Sequence, residues 1–307
     1  MDKIIYPKKQ YTYEQLCQDS SVLKDRYPTL IRVKTIGYSV DQRKILAIQL
    51  GTGKDNILLS GAHHAREWLT TPLLMDMIET YAHAAETRQS FRGFEVKTML
   101  EQCCFWFIPM VNPDGVTLVQ LGASQFEHQE DLLRWNNYSE DFTAWKANIR
   151  GVDLNRQYPV DWETIKSDPG EPSFANFKGV TPLSEPESKA IYQFIQSKKI
   201  KIAAAYHSSG EEIFWKYKST AAFAIKSEQI AMQLAELTGY KLIYPGDDPS
   251  GGGLTDWFIS HYRQPSFTIE IAPYIGPNPV PLHHYDQIYQ ANKYVPFLLA
   301  VNRDAQV

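Results

Sequence analysis

An α/β fold built on a mixed sheet is predicted from two observations: short apolar strands alternate with segments that carry apolar residues at helical spacing, and no internal repeat interrupts them. The 307 residues, 43% hydrophobic, suffice for a large core, and no Gly/Ser/Pro-rich linker divides them. Residues 1–307 therefore read as one domain.

Thr12-x-x-Gln15 resembles a capping box and opens a helix running toward Tyr27-Pro28. Ile31 to Gly37 and Lys44 to Leu50 then alternate as the two strands of a hairpin. Ile57-Leu58-Leu59-Ser60 reads as a short buried strand, and Trp68 to Ala85 as a helix. Cys103 to Pro109 is a further buried strand, with Asn112-Pro113-Asp114-Gly115 as a turn after it. From about 116 to 185 the chain is rich in Trp, Tyr, Asn, Pro and Gly with little periodicity, which predicts long ordered loops around a site. A helix starts at Ser184-Glu185-Pro186-Glu187 and runs to about Lys198; Ile200 to Tyr206 is a strand ending at His207. Ala221 to Thr238 is a helix, Ser266 to Ala272 a strand, and His284 to Val301 a closing helix.

The net charge of −4 offers no basic excess to neutralise phosphates, which argues against nucleic acid as a main partner. No apolar run approaches the roughly 18 residues needed to cross a bilayer, and the amino terminus lacks a signal-peptide pattern, so a cytoplasmic, membrane-free protein is expected. Cys17, Cys103 and Cys104 are few and odd in number, and read as buried thiols rather than a disulfide framework. Oligomeric state leaves no mark in the sequence.

Chemistry concentrates at Gly61-Ala62-His63-His64-Ala65-Arg66-Glu67-Trp68. Three residues separate His64 from Glu67, so one turn of backbone aims an imidazole and a carboxylate at a common point, and both suit Zn2+. His63 leaves an ambiguity, although three residues on from it stands Arg66, which cannot bind a metal. His207, at the end of the small-residue strand Lys201 to Tyr206, is the natural third ligand. Three protein ligands leave a fourth position for water, the arrangement of a catalytic zinc. Glu270 interrupts an otherwise apolar strand; it either faces solvent from an edge or acts as a general base on water. Asn155-Arg156 sets an amide beside a guanidinium, which suits capture of a carboxylate.

Taken together these residues resemble the zinc metallocarboxypeptidase family, to which carboxypeptidases A and B belong. The matches run in order along nearly the whole chain: Gly61-x-His-x-x-x-Glu67-Trp68 with the ligand histidine at 64, Pro109-x-Val-Asn-Pro-Asp-Gly115, Gly151-Val-Asp-x-Asn-Arg156, His207-Ser208, Gly252-Gly253-x-x-Asp256-Trp257 and Phe267-Thr-x-Glu270. The resemblance implies a single domain whose mixed, mostly parallel twisted sheet of about eight strands carries helices on both faces. It also implies one zinc ion on His64, Glu67 and His207, with Glu270 as base and later proton donor to the leaving amine. Asn155 and Arg156 would bind a carboxylate on the leaving side, with Arg66 close to the substrate. Tyr244 falls near the family's mobile capping tyrosine, or else is a core residue.

Where the family commonly has a carbonyl-polarising arginine after a tryptophan, this chain reads Trp145-Lys146. Lys146 is either a point-charge substitute or a solvated lysine, and Arg134 or Arg150 are alternatives. Thr255, in the position where the resemblance implies a reader of the leaving side chain, is neither the aspartate suited to basic residues nor the bulky aliphatic suited to aromatic ones. A polar or zwitterionic side chain is expected instead. The stretches Trp145 to Arg156, Gly251 to Trp257 and Glu270 to Tyr274 are closer to a bacterial branch that resembles the γ-D-glutamyl-L-diamino acid endopeptidases. This implies a muropeptide substrate cut between D-glutamate and diaminopimelate or lysine, trimmed in the cytosol or reached on lysis or sporulation. The alternatives are an ordinary metallocarboxypeptidase removing carboxy-terminal L-residues, or an inactive zinc-stabilised binding protein.

Overall fold

The computed structural model describes residues 2–246 and 249–304. Its strands are β1 (Ile31–Tyr38), β2 (Lys44–Leu50), β3 (Asp55–Ser60), the short pair β4 (Ser90–Phe91) and β5 (Phe94–Glu95), β6 (Cys103–Ile108), β7 (Ile200–Ser208), β8 (Glu212–Phe214), β9 (Lys241–Ile243) and β10 (Ser266–Ile271). Among the described residues, eight of these form one sheet in the order β1-β2-β6-β3-β7-β10-β8-β9, and β4-β5 stand apart as a hairpin. The four pairings β6-β3, β3-β7, β7-β10 and β8-β9 are parallel, the other three antiparallel, so the sheet is mixed and mostly parallel. This is the α/β class expected.

Alternation of side chains along the central strands builds two cores. Ile57 and Leu59, Phe105 and Phe107, Ile202 and Ala204, and Phe267 and Ile269 point to one face. There they meet α1 (Tyr13–Arg26), α2 (Thr70–Glu86), α3 (Val96–Gln102), α7 (Ala221–Thr238), α9 (Tyr285–Asn292) and α10 (Val295–Val301). Leu58, Cys104, Trp106, Ala203 and Ala205 point to the other, against α6 (Pro186–Gln196) and α8 (Leu254–Tyr262). Burial on both faces explains why these strands read as apolar runs rather than as alternation. The remaining helices, α4 (Pro113–Leu121) and α5 (Gln129–Trp135), belong to the connection after β6.

Three expectations need correction. Asn112-Pro113-Asp114-Gly115 is not a free turn but the start of α4: the Asn112 side chain accepts from Gly115 N, and Pro113 occupies the first helical turn. Turn and helix-start chemistry share these residue types, since both need a side-chain acceptor and a fixed φ. The stretch 116–185 carries α4 and α5 within its loops, and Phe126, Leu132, Phe142 and Trp145 form a satellite core of their own. The closing helix is two helices, α9 and α10, broken at Lys293-Tyr294 just before Pro296, whose missing N–H cannot continue a ladder. At the amino terminus the Thr12 side chain accepts from Gln15 N as expected, while the Gln15 amide bonds Asp19 and Lys9 instead of closing the box. All three cysteines are free; Cys103 and Cys104 are buried and Cys17 is half-buried.

Candidate metal centre

The centre sits where β3, β7 and β10 end at their carboxyl edges, the place where open α/β sheets bind ligands. Leaving β3, the chain turns through Gly61 and Ala62 into a single 3-10 turn, Ala65–Glu67. Thr70 Oγ1 accepts from Ala62 N at 2.8 Å and donates to Glu67 O at 2.8 Å, closing that turn onto the start of α2. From outside, Asn112 Nδ2 donates to His63 O and to Ala147 O, while Ala65 N and Arg66 N donate to Lys146 O and Trp145 O. The ligand loop is thereby fastened to residues 145–147 by two backbone hydrogen bonds and the Asn112 side chain.

His64, Glu67 and His207 converge there, with one donor atom of each lying within 4.8 Å of the others. Glu67 Oε1 is 2.7 Å from His64 Nδ1, Glu67 Oε2 is 2.9 Å from His207 Nδ1, and the two Nδ1 atoms are 3.2 Å apart. His64 Nε2 lies 3.2 Å from Asp153 Oδ1, and because a carboxylate only accepts, Nε2 carries the proton. In the neutral ring that leaves a bare Nδ1 facing a carboxylate oxygen and a second imidazole nitrogen. Two imidazole nitrogens and one carboxylate gathered at such distances are a donor set zinc favours. Burial lowers the His207 pKa, while the Glu67 carboxylate beside it pulls the other way. Burial acts to raise Glu67, but His64 and His207 outweigh it and hold its carboxyl well below the usual range. The residues fit a zinc ion.

His63 is the histidine left out. Fully buried, it places Nε2 3.2 Å from Tyr158 OH, with its ring 5.7 Å from that of His207. Lys146 is not a solvated lysine: it is 9% exposed and donates to Asp153 Oδ2 at 2.7 Å and Asn176 Oδ1 at 3.2 Å. Asp153 is the residue sequence reasoning passed over, although it stands inside the Gly151-Val-Asp motif. Burial would raise its pKa, yet Lys146 and then His64 outweigh this and keep it well below the carboxylate range. Lys146, Asp153 and His64 thus form a relay of charge and hydrogen bond ending on the metal donors.

Glu270 is in register with His207 on adjacent parallel strands, so both side chains rise from the same face. Since Phe267, Ile269 and Ile271 face the opposite core, Thr268 and Glu270 share the face of α8. β10 lies inside the sheet, so Glu270 is no edge-strand residue. Burial and then the neighbouring Glu67 push its pKa well up, while Lys146 and Arg66 pull the other way. A bound dication would pull it further down.

Thr255 is buried, with Oγ1 2.9 Å from Thr268 Oγ1, which places it two residues along β10 from Glu270. Asn155 Oδ1 accepts from Leu254 N, joining the Asn155-Arg156 segment to the start of α8. Gly252 makes this approach feasible: its φ is +81° and a Cβ there would lie 3.0 Å from Arg156 O. Arg156 Nε is buried without a hydrogen-bond partner among the described residues, while its Nη1 donates to Asn155 O. Arg66 donates to Ala144 O. Arg134 and Arg150 are engaged elsewhere, on Asp131 and Glu185 respectively. Tyr244 is not a core residue; it is 61% exposed, edge-on to Trp215.

Residues 16–276 match the family described as zinc carboxypeptidase. The chain is 33% identical over 290 residues to the γ-D-glutamyl-L-diamino acid endopeptidase 1 of Lysinibacillus sphaericus, covering 94% of this chain and 72% of that protein. It is 26% identical over 264 residues to human carboxypeptidase B, covering 80% of this chain and 58% of that protein. Among solved structures it resembles thrombin activatable fibrinolysis inhibitor, with TM-score 0.79 and 17% identity over 98% of this chain and 76% of that one. With its His64, Glu67 and His207 donor set, this chain belongs to the zinc carboxypeptidase family and is a zinc metallopeptidase.

Proposed function

We propose that this peptidase hydrolyses the bond between γ-D-glutamate and an L-diamino acid, diaminopimelate or lysine, in cell-wall stem peptides. The observation that carries this reading is the 33% identity, spread over 94% of the chain, to a relative named for that bond. Thr255 supports it, being neither an acidic nor a bulky aliphatic reader of the leaving side chain.

Zinc, when bound by His64, Glu67 and His207, supplies Lewis acidity that lowers the pKa of a water and polarises the scissile carbonyl. Glu270 takes the proton of the attacking water on its carboxylate and passes it to the leaving amine. Asp153 holds the His64 proton at Nε2 and so keeps Nδ1 free for the metal. Lys146 fixes Asp153, and its charge reaches both His207 and Glu270, adding positive potential beside the carbonyl. Asn155 and Arg156 take a carboxylate on the leaving side, Arg66 flanks the substrate, and the exposed Tyr244, which follows β9, caps it.

Purified zinc-loaded protein should release diaminopimelate or lysine from L-Ala-γ-D-Glu-diamino acid peptides and leave α-linked isomers intact. Cleavage of hippuryl-type peptides without cleavage of the γ-linked ones would overturn this reading and leave an ordinary metallocarboxypeptidase. Zinc binding with no turnover of either would leave a binding protein.

A further inference from the structure

Beyond Glu270 the sheet continues through β8 and β9, and its site-side face there presents a row the mechanism does not use. Glu212 on β8 is directly opposite Glu270, and Phe214 directly opposite Thr268. Ile213 between them packs into the far core, so Glu212 and Phe214 rise on the side of Glu270 and Thr255. Side chains opposed in this way lie about 5 Å apart at Cβ, and two like charges so placed repel.

Among the described residues nothing answers the charge of Glu212. Its half-buried carboxylate accepts no hydrogen bond and makes no ion pair among the described residues, and folds over Gly210, where a Cβ would meet Oε2 at 3.2 Å. Lys241, in register on β9, does not come within ion-pair distance of it. Phe214 is 38% exposed, an aromatic ring left uncovered beside the Thr255–Thr268 pair. An uncovered ring and an unanswered carboxylate, 2 residues apart on one strand, complement an aliphatic stem ending in an ammonium. The relative's printed substrate, a diamino acid, carries such a side chain.

We propose that Glu212 is a specificity-determining residue that receives the side-chain ammonium of the leaving residue, with Phe214 supporting its methylene stem. This rests on the diamino acid reading above and deepens it. Lys241, next in the row, would meet a carboxylate borne on the same carbon.

The test compares kcat/KM for L-Ala-γ-D-Glu-L-Lys with that for the same peptide acetylated on the lysine side-chain amine, in the zinc-loaded wild type and in Glu212→Gln. A charge-assisted hydrogen bond is worth roughly 10- to 100-fold, so the wild type should prefer the free amine by that factor. In Glu212→Gln the preference should collapse toward one, with zinc content unchanged. The same preference in both proteins overturns the proposal, as does a variant that merely shifts the pH profile for both peptides equally. Should the wild type leave γ-linked peptides uncut, the diamino acid reading fails by itself. The same ratio, measured on α-linked peptides ending in lysine or acetyl-lysine, then supports or overturns the role of Glu212.

Discussion

Residues 148–153 tie together two buried charge clusters that solve the same problem in opposite ways. At one end Asp153 meets Lys146 and His64, and these cations and donors keep it ionised despite complete burial. At the other, Asn148 Nδ2 donates to Glu185 at 2.8 Å and lies 3.4 Å from Glu187. Glu187 there has Asp114 and Glu185 for neighbours, and burial, reinforced by those two carboxylates, pushes its pKa up to about 8. Arg43 is spent on Asp114, at 2.9 Å, and on Asp41. A carboxylate given a cation stays charged and takes part in electrostatics; one without it keeps its proton at neutral pH and serves as packing. The first cluster is built for chemistry, the second for holding the chain.

Glu270 belongs to the first cluster in position yet to the second in the direction of its shift, so it gives the sharpest test. Glu270→Gln should keep about one zinc per chain by elemental analysis while kcat falls by roughly 10^2- to 10^4-fold, the usual worth of a general base. Retained turnover would break the distinction between the clusters.

Next in size is the Lys146–Asp153 pair. Lys146→Met strands a buried carboxylate and should cost about 3–5 kcal/mol in urea unfolding, and Lys146→Met with Asp153→Asn should recover part of it. Equal losses in the single and double variants would show that the pair's charges do not matter to the fold.

Glu187→Gln gives the most gradual change, spread over several pH units. With its pKa raised in the folded state, the native protein binds a proton that the unfolded chain releases, so Glu187 lowers stability as pH rises from about 4.5 through about 8. The slope from one such group is at most about 1.4 kcal/mol per pH unit. Wild type should lose stability relative to Glu187→Gln across that window, read from urea midpoints at pH 5, 7 and 9. Parallel curves would place the proton elsewhere.

What the sequence disclosed follows from how local each feature is. His64 and Glu67 were readable because one turn of backbone sets both, and β3, β6 and β7 because burial on two faces makes continuous apolar runs. Fold class and donor set were legible for that reason. Asp153, Asn112 and Glu212 carry no local signal: the first acts across 89 residues on His64, the second across 49 on the His63 carbonyl, the third through strand register. Helix α8 and strands β8 and β9 also went unread, being short and flanked by Gly and Pro. The break between α9 and α10 was written in Pro296, but periodicity masked it.

Asn112 grips the metal-holding loop from the side of β6 and α4, whereas the side-chain reader lies on β8 and β9 at the opposite edge of the sheet. Two functions that sit side by side in the cleft are therefore anchored to separate parts of the scaffold. A lineage, or a designer, can exchange residues along β8 and β9 to accept a new leaving group without disturbing the loop that secures the catalytic ion.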